Sequence, residues 1–278
     1  MKRGSWVWSD VFASNQAYTI VEVMIFLAVS SVLFFVVARS IAGQTTRAQF
    51  TESVRNFESR LQDLANDVST GFYPGENNFT CKTNISGNIT ITPVSSPRGT
   101  NGDCIFVGQV INFDRDDVPS DSFMTITLAG RRYKPGGGTT EVESLSDTAP
   151  TPIQTSTPIE KIGPVDLVSV SYNNGLARVN VESFAFTTTF KKYSGAKLDA
   201  GDVSVDMVPL LLNCTPGCPT NNASHINTAL TDPAAVINPT NGIDICLKGG
   251  INQYATVTLG GNGRHLSTKV AFATGACP

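Results

Sequence analysis

Glu22 is the titratable residue on which its surroundings make the greatest demand. It follows Ala17-Tyr18-Thr19-Ile20-Val21 and opens an apolar run from Val23 to Ala38, interrupted only by Ser30 and Ser31. An unpaired carboxylate in hydrocarbon costs several kcal/mol, so an acid here needs a cation or a route to water. The bland role is an ordinary membrane anchor whose Glu22 snorkels to the interface.

Six cysteines, Cys81, Cys104, Cys214, Cys218, Cys246 and Cys277, all lie beyond the apolar run. An even number there fits disulfides in an oxidising compartment, and spacing alone leaves their connectivity open. Cys81 with Cys104 would close a loop of about 24 residues, worth about 3 kcal/mol in the chain-entropy picture. Cys214 and Cys218 can close around Pro216-Gly217, and Cys246 with Cys277 would tie a C-terminal hairpin to the strand before it. Zinc is disfavoured, because Cys-x3-Cys has no histidine or second tight pair beside it. Asp114, Asp116, Asp117 and Asp121 lack the glycine and distal glutamate of a calcium hand and read as a solvated turn. No metal or other cofactor is expected.

Arg264, His265 and Lys269 form a basic group near the end of the chain, and Arg131-Arg132-Tyr133-Lys134 forms another. Either is a candidate contact for DNA or another anionic polymer. A formal net charge of -3 gives no global attraction to nucleic acid. Enzyme signatures are missing: there is no HExxH, no phosphate loop and no Gly-x-Ser-x-Gly, and only two histidines. A non-enzymatic protein is expected. Asn78, Asn84, Asn88, Asn213 and Asn222 open N-x-S/T triplets, which arise by chance in a chain rich in Asn and Thr.

These groups need elements to hold them. The run from Val23 to Ala38 spans roughly 24 Å as a helix, and Thr19–Val21 brings it near the ~30 Å of a bilayer core. Lys2 and Arg3 favour a cytoplasmic N-terminus. Beyond Arg39, the residues Phe50, Val54, Phe57, Leu61, Leu64 and Val68 recur at alternating steps of four and three, an apolar stripe at helical period. Arg60 and Asp63 can pair at i,i+3 on its polar side. Gly43 is the weak point between the halves, and Gly71 and Pro74 end the helix. The expected helix covers 18–69, membrane-spanning over 20–38 and amphipathic over 44–69.

From residue 70 to 278 the period changes to two. Ile105, Val107, Ile111 and Phe113 read as one strand face; Met124, Ile126 and Leu128 as another; Val168, Val170 and Tyr172 as a third. Val179 and Val181 give way to Phe184 and Phe186, a phase change that predicts a bulge near Glu182-Ser183. Val203, Val205 and Met207 share a face, and Ala255, Val257 and Leu259 lead through glycines into Leu266, Val270 and Phe272 as a hairpin. Lys134 to Pro158 reads as an exposed loop. One apolar face per strand predicts an antiparallel sheet covered on one side, with the helix as cover. The fold class is therefore α+β.

The N-terminal stretch resembles that of type IV prepilins and pseudopilins: a short basic leader, a small residue, an aromatic residue, Thr-Ile-Val-Glu, and an unbroken apolar helix. The resemblance covers residues 1 to about 69. It implies that residues 1–17 are a leader, that a prepilin peptidase cuts between Ala17 and Tyr18 and methylates the new amine, and that Glu22 is the fifth mature residue. It also implies that Glu22 pairs with the Tyr18 amine of a neighbouring subunit during assembly, and that C-terminal disulfides hold the head. Ala17 stands where glycine is usual, and the apolar helix lacks the proline of many relatives. The implied protein is a minor pilin or minor pseudopilin of a pilus, secretion or DNA-uptake filament. Its partners are other pilin subunits, the peptidase, an inner-membrane assembly platform and membrane lipid. It crosses the cell membrane once, with an extracytoplasmic head. Two alternatives stand beside it: a membrane-tethered binding protein that does not polymerise, and a secretory signal cut after Ser40-Ile41-Ala42.

Overall fold

The computed structural model of the chain describes residues 19–71, 79–84, 89–92, 94, 102–113, 118–136, 140–153, 159–173, 175, 177–188, 205–210, 226, 230, 242–250, 252–260 and 267–277. The chain divides into two compact units, 1–46 and 47–278. Helix α1 runs Ile20–Thr70, within two residues of the expected bounds at each end, and continues through Gly43. It stops where Gly71 takes a left-handed φ of 67° and donates its N–H to the Val68 carbonyl at 3.2 Å, a turn that glycine enters without Cβ strain.

In the first unit every large apolar side chain from Ile20 to Val37 is exposed, Phe34 by 76%. Water penalises such a surface and lipid favours it. This helix is long and apolar enough to cross a membrane.

The second unit carries the strands, all paired antiparallel. A small ribbon joins β1 (Thr80–Thr83) to β2 (Ile89–Thr92). A six-stranded sheet contains β3 (Cys104–Asn112), β4 (Ser122–Arg131), β5 (Thr151–Pro152), β6 (Ile159–Lys161), β9 (Ser183–Thr188) and β10 (Val205–Leu210), in the order β10-β9-β3-β4-β5 with β6 also on β4. A five-stranded sheet contains β7 (Asp166–Asn173), β8 (Arg178–Val181), β11 (Ile243–Lys248), β12 (Gln253–Gly260) and β13 (Ser267–Thr274), in the order β13-β12-β11-β7-β8. A one-turn helix α2 covers Leu145–Thr148.

The helical stripe is buried as its spacing predicts: Phe50, Val54, Phe57, Leu61, Leu64 and Val68 are all 0–4% exposed. They share one core with Phe123 and Phe184 of the six-stranded sheet and with Ile245, Val257 and Leu259 of the five-stranded sheet. Gly163 marks the close approach. A Cβ there would lie 2.6 Å from the Ser53 hydroxyl on α1, and its φ of 117° suits glycine.

A single sheet covered on one side is not what forms. Two sheets meet the helix, and the six-stranded one is buried on both faces. Val107, Val110, Met124, Ile126, Leu128, Ala185 and Val208 build a second core with Ile226 and Leu230. Bulges change the faces within strands. The β3–β4 register skips Val107, which sends Val107 to the second core and Ile111 and Phe113 to the helix core, so they do not share one face. The β11–β7 register skips Val168, leaving it 41% exposed while Leu167 turns inward at 6%. The phase change at Glu182 proves larger than a bulge. There the chain leaves β8 in one sheet and enters β9 in the other, and the Glu182 carbonyl accepts the Phe113 N–H at 2.9 Å. Strands β12 and β13 pair antiparallel as the expected hairpin requires, while Leu266 and the turn at 261–263 lie outside the described residues.

The Lys134–Pro158 region is not simply an exposed loop. Ser144 caps α2 by accepting the Asp147 N–H at 3.1 Å, and Thr148 and Ile153 are buried. Arg60 bonds Glu160 of β6 rather than Asp63, through Nε at 2.7 Å and Nη2 at 2.8 Å. The bidentate fork to a half-buried carboxylate outcompetes an exposed i,i+3 neighbour.

That choice leaves Asp67 poorly served. Burial pushes its carboxyl above the ordinary value of 3.8, Arg60 pulls it down and Asp63 adds a like charge. The C-terminal end of α1 disfavours a negative charge as well. A carboxyl raised on folding costs nothing below pH 3.8, and its cost grows as pH rises through the folded value. Asp67→Asn is therefore expected to raise the thermal midpoint of the detergent-solubilised chain at pH 7. The gain should vanish below pH 3.8, and a gain that persisted there would contradict the assignment.

Candidate functional site: the helix start at Thr19 and Glu22

Thr19 and Glu22 bond each other reciprocally at the head of α1. The Thr19 N–H donates to Glu22 Oε2 at 3.3 Å, the Thr19 hydroxyl donates to the same oxygen at 3.4 Å, and the Glu22 N–H donates to Thr19 Oγ1 at 3.3 Å. This is a capping box, with threonine at the N-cap and glutamate three residues on. It satisfies two of the donors that a helix leaves open at its start. The positive end of the helix dipole favours the carboxylate there.

The box orients Glu22 with neutral donors and brings no cation to it. Two neutral donors share one carboxylate oxygen, while the side chain stays exposed at the start of a segment whose apolar residues are exposed too. The arrangement can attract a cation, and its surroundings make that cation matter. The reading from residue types found Glu22 and missed Thr19. The signal was in the sequence, since Thr19-Ile20-Val21-Glu22 is the S/T-x-x-E pattern itself. Ala17 and Tyr18, the two processing residues, lie outside the described residues.

The remaining candidates separate from one another. Cys81 joins Cys104, tying β1 to the start of β3 across 6.2 Å between Cα atoms. Cys246 joins Cys277, tying β11 to the chain after β13 across 6.0 Å. Cys214 and Cys218 lie outside the described residues, as do Arg264, His265, Asp114, Asp116 and Asp117. Lys269 sits mid-way along β13, exposed. The second basic group is engaged internally: Arg132 meets Glu141 at 3.4 Å, Lys134 meets Glu143 at 3.2 Å and Asp147 at 3.8 Å, and Arg131 Nε donates to the Asp147 carbonyl at 2.5 Å. Its charge is met by acids of the following segment. Asp121 accepts the Ser122 hydroxyl at 3.0 Å and lies 3.4 Å from Lys161, and these hold its carboxyl below the ordinary range.

No protein-family model matches the chain, and no curated protein or solved structure matches it.

Proposed function

We propose that the chain is a type IV pilin-like structural subunit, a minor pilin or minor pseudopilin. Its N-terminal helix anchors it in the cell membrane and then packs among other subunits of a filament. The observation that carries this reading is the coincidence at one helix start of a capped glutamate, Glu22, with a long segment behind it whose large apolar side chains are all exposed. A plain anchor needs only the second of these. In lipid the carboxylate is costly alone, and so is an amine. Release of the Tyr18 amine by cleavage after Ala17 supplies the cation, and docking of subunits brings the amine of one to Glu22 of the next. The buried stripe from Phe50 to Val68 seats the sheets of the head on the C-terminal half of α1. Prepilin peptidase, an inner-membrane assembly platform, membrane lipid and other subunits are the partners this reading requires.

Mass spectrometry of the mature N-terminus tests it. The expected result is a chain beginning at Tyr18 with one added methyl group. A chain that keeps its first residues, or one that begins at Gly43, sinks the reading.

A further inference from the structure

Four of the strand ends that close the two larger sheets carry a device against further pairing, and β13 carries almost none. Strand β8 has only 4 residues, and its Arg178 is held by Asp244 at 2.7 Å. Strand β10 contains Pro209, which has no N–H to offer. Strands β5 and β6 have 2 and 3 residues, and β5 ends in Pro152. In contrast β13 has 8 residues, no proline and no bulge, and its register with β12 is unbroken from Gln253↔Thr274 to Gly260↔Ser267. It is the last strand of its sheet, and among the described residues its backbone pairs with β12 alone. A regular free edge of roughly 26 Å is a template for another strand.

The surface beside that edge tells what the strand should carry. Phe272 is 45% exposed; one side of it meets Phe50 edge-on at 6.1 Å between centroids, and Arg55 lies 6.0 Å from its ring. A cavity of about 390 Å³ adjoins it, lined by Arg47, Phe50, Thr51, Tyr254, Phe272 and Thr274. Among the described residues no acidic side chain lines this cavity and no carboxylate pairs with Arg47. Arg55 is already held by Glu58 at 2.8 Å.

We propose that the free edge of β13 is a docking site for an extended strand of another protein, which joins the five-stranded sheet, lays an apolar side chain on Phe272 and brings a carboxylate to Arg47. Backbone hydrogen bonds along β13 supply affinity, and alternate side chains supply choice of partner. A second copy of β13 is the poorer occupant. It would bring its own Lys269 to the edge and no acid for Arg47, and like charges facing across a strand pair repel. The proposal does not rest on the filament reading. It concerns the head unit alone and stands or falls apart from Glu22.

The test uses the full chain in lipid nanodiscs and a displayed library of random ten-residue peptides, followed by the most enriched peptide made synthetically. The expected winners alternate apolar and polar residues and include an aspartate or glutamate. Their binding slows deuterium exchange in β13 about tenfold or more, at alternate amides only, since the others already bond β12. Arg47→Glu weakens the peptide by at least about tenfold and leaves exchange in β11 and β12 unchanged. N-methylation of one alternate set of peptide amides abolishes binding, and methylation of the other set does not. The proposal is overturned if no peptide is enriched, if protection falls on β8 or β10 instead, if Arg47→Glu binds equally well, or if β13 becomes protected by self-association without peptide.

Discussion

Phe57→Ala is expected to destabilise the head by about 3–5 kcal/mol, the usual cost of removing a buried phenylalanine. Phe57 is 2% exposed in the middle of the helical stripe. Its ring meets Phe123 edge-on at 5.5 Å and Phe113 at 6.3 Å, and Phe113 in turn packs on Phe184 at 6.0 Å. Truncation leaves a void that these rings cannot all close, because Phe123 and Phe184 are anchored in separate strands. A domain typically has about 5–15 kcal/mol in hand, so one such loss brings it near unfolding. Phe57→Leu keeps most of the volume and should cost less than half as much. Glu52→Ala, on the exposed side of the same helix, should change stability by no more than about 0.5 kcal/mol. Thermal or denaturant midpoints of the detergent-solubilised chain report all three. If Phe57→Ala behaved like Glu52→Ala, the helix would not be the seat of the head.

That stripe was legible in the sequence because an α-helix offers one apolar face at fixed period, and nothing in α1 interrupts it before Thr70. The sheets were legible as strands and less so as surfaces. Period-two reasoning assumes that each residue has one partner across the ladder. The register skips Val107 and Val168, and each skip turns the following side chains over. At Val107 the adjacent Gly108 is its local sign, and at Val168 no residue type announces it. The break at Glu182 was visible as a phase change, yet the same change of phase describes a bulge and a step from one sheet to another. Only long-range pairing, β8 with β7 and β9 with β3, decides between them. Arg60 teaches the same point on a smaller scale. Asp63 is three residues away, and the partner that wins is Glu160, 100 residues away, because it offers two oxygens in fork geometry in a less exposed place. At the helix start the opposite holds. Thr19 and Glu22 are local partners, so the box could be read from four consecutive residues.

Because Glu22 has two roles, helix cap and charge, three substitutions separate them. Glu22→Gln keeps the cap, since glutamine serves in a capping box as glutamate does, and removes the charge. Thr19→Ala removes the cap and keeps the charge, at a cost of about 0.5–2 kcal/mol to the first turn. Glu22→Ala removes the charge and the glutamate arm of the box, leaving the Thr19 hydroxyl to accept the residue-22 N–H. If the charge binds the Tyr18 amine of an adjacent subunit, Glu22→Gln and Glu22→Ala should both lose most filament incorporation, roughly tenfold or more, the loss of a desolvated charge pair. Thr19→Ala should lose far less. All three should still enter the membrane, because none alters the run from Val23 to Val37. Incorporation is read by immunoblot of sheared filaments, and insertion by carbonate extraction of membranes. The order of the variants carries the inference. Should Glu22→Gln incorporate like the unaltered chain while Thr19→Ala and Glu22→Ala fail together, the glutamate would be a helix cap and nothing more. The lipid-facing helix would then be an anchor for a head that acts alone.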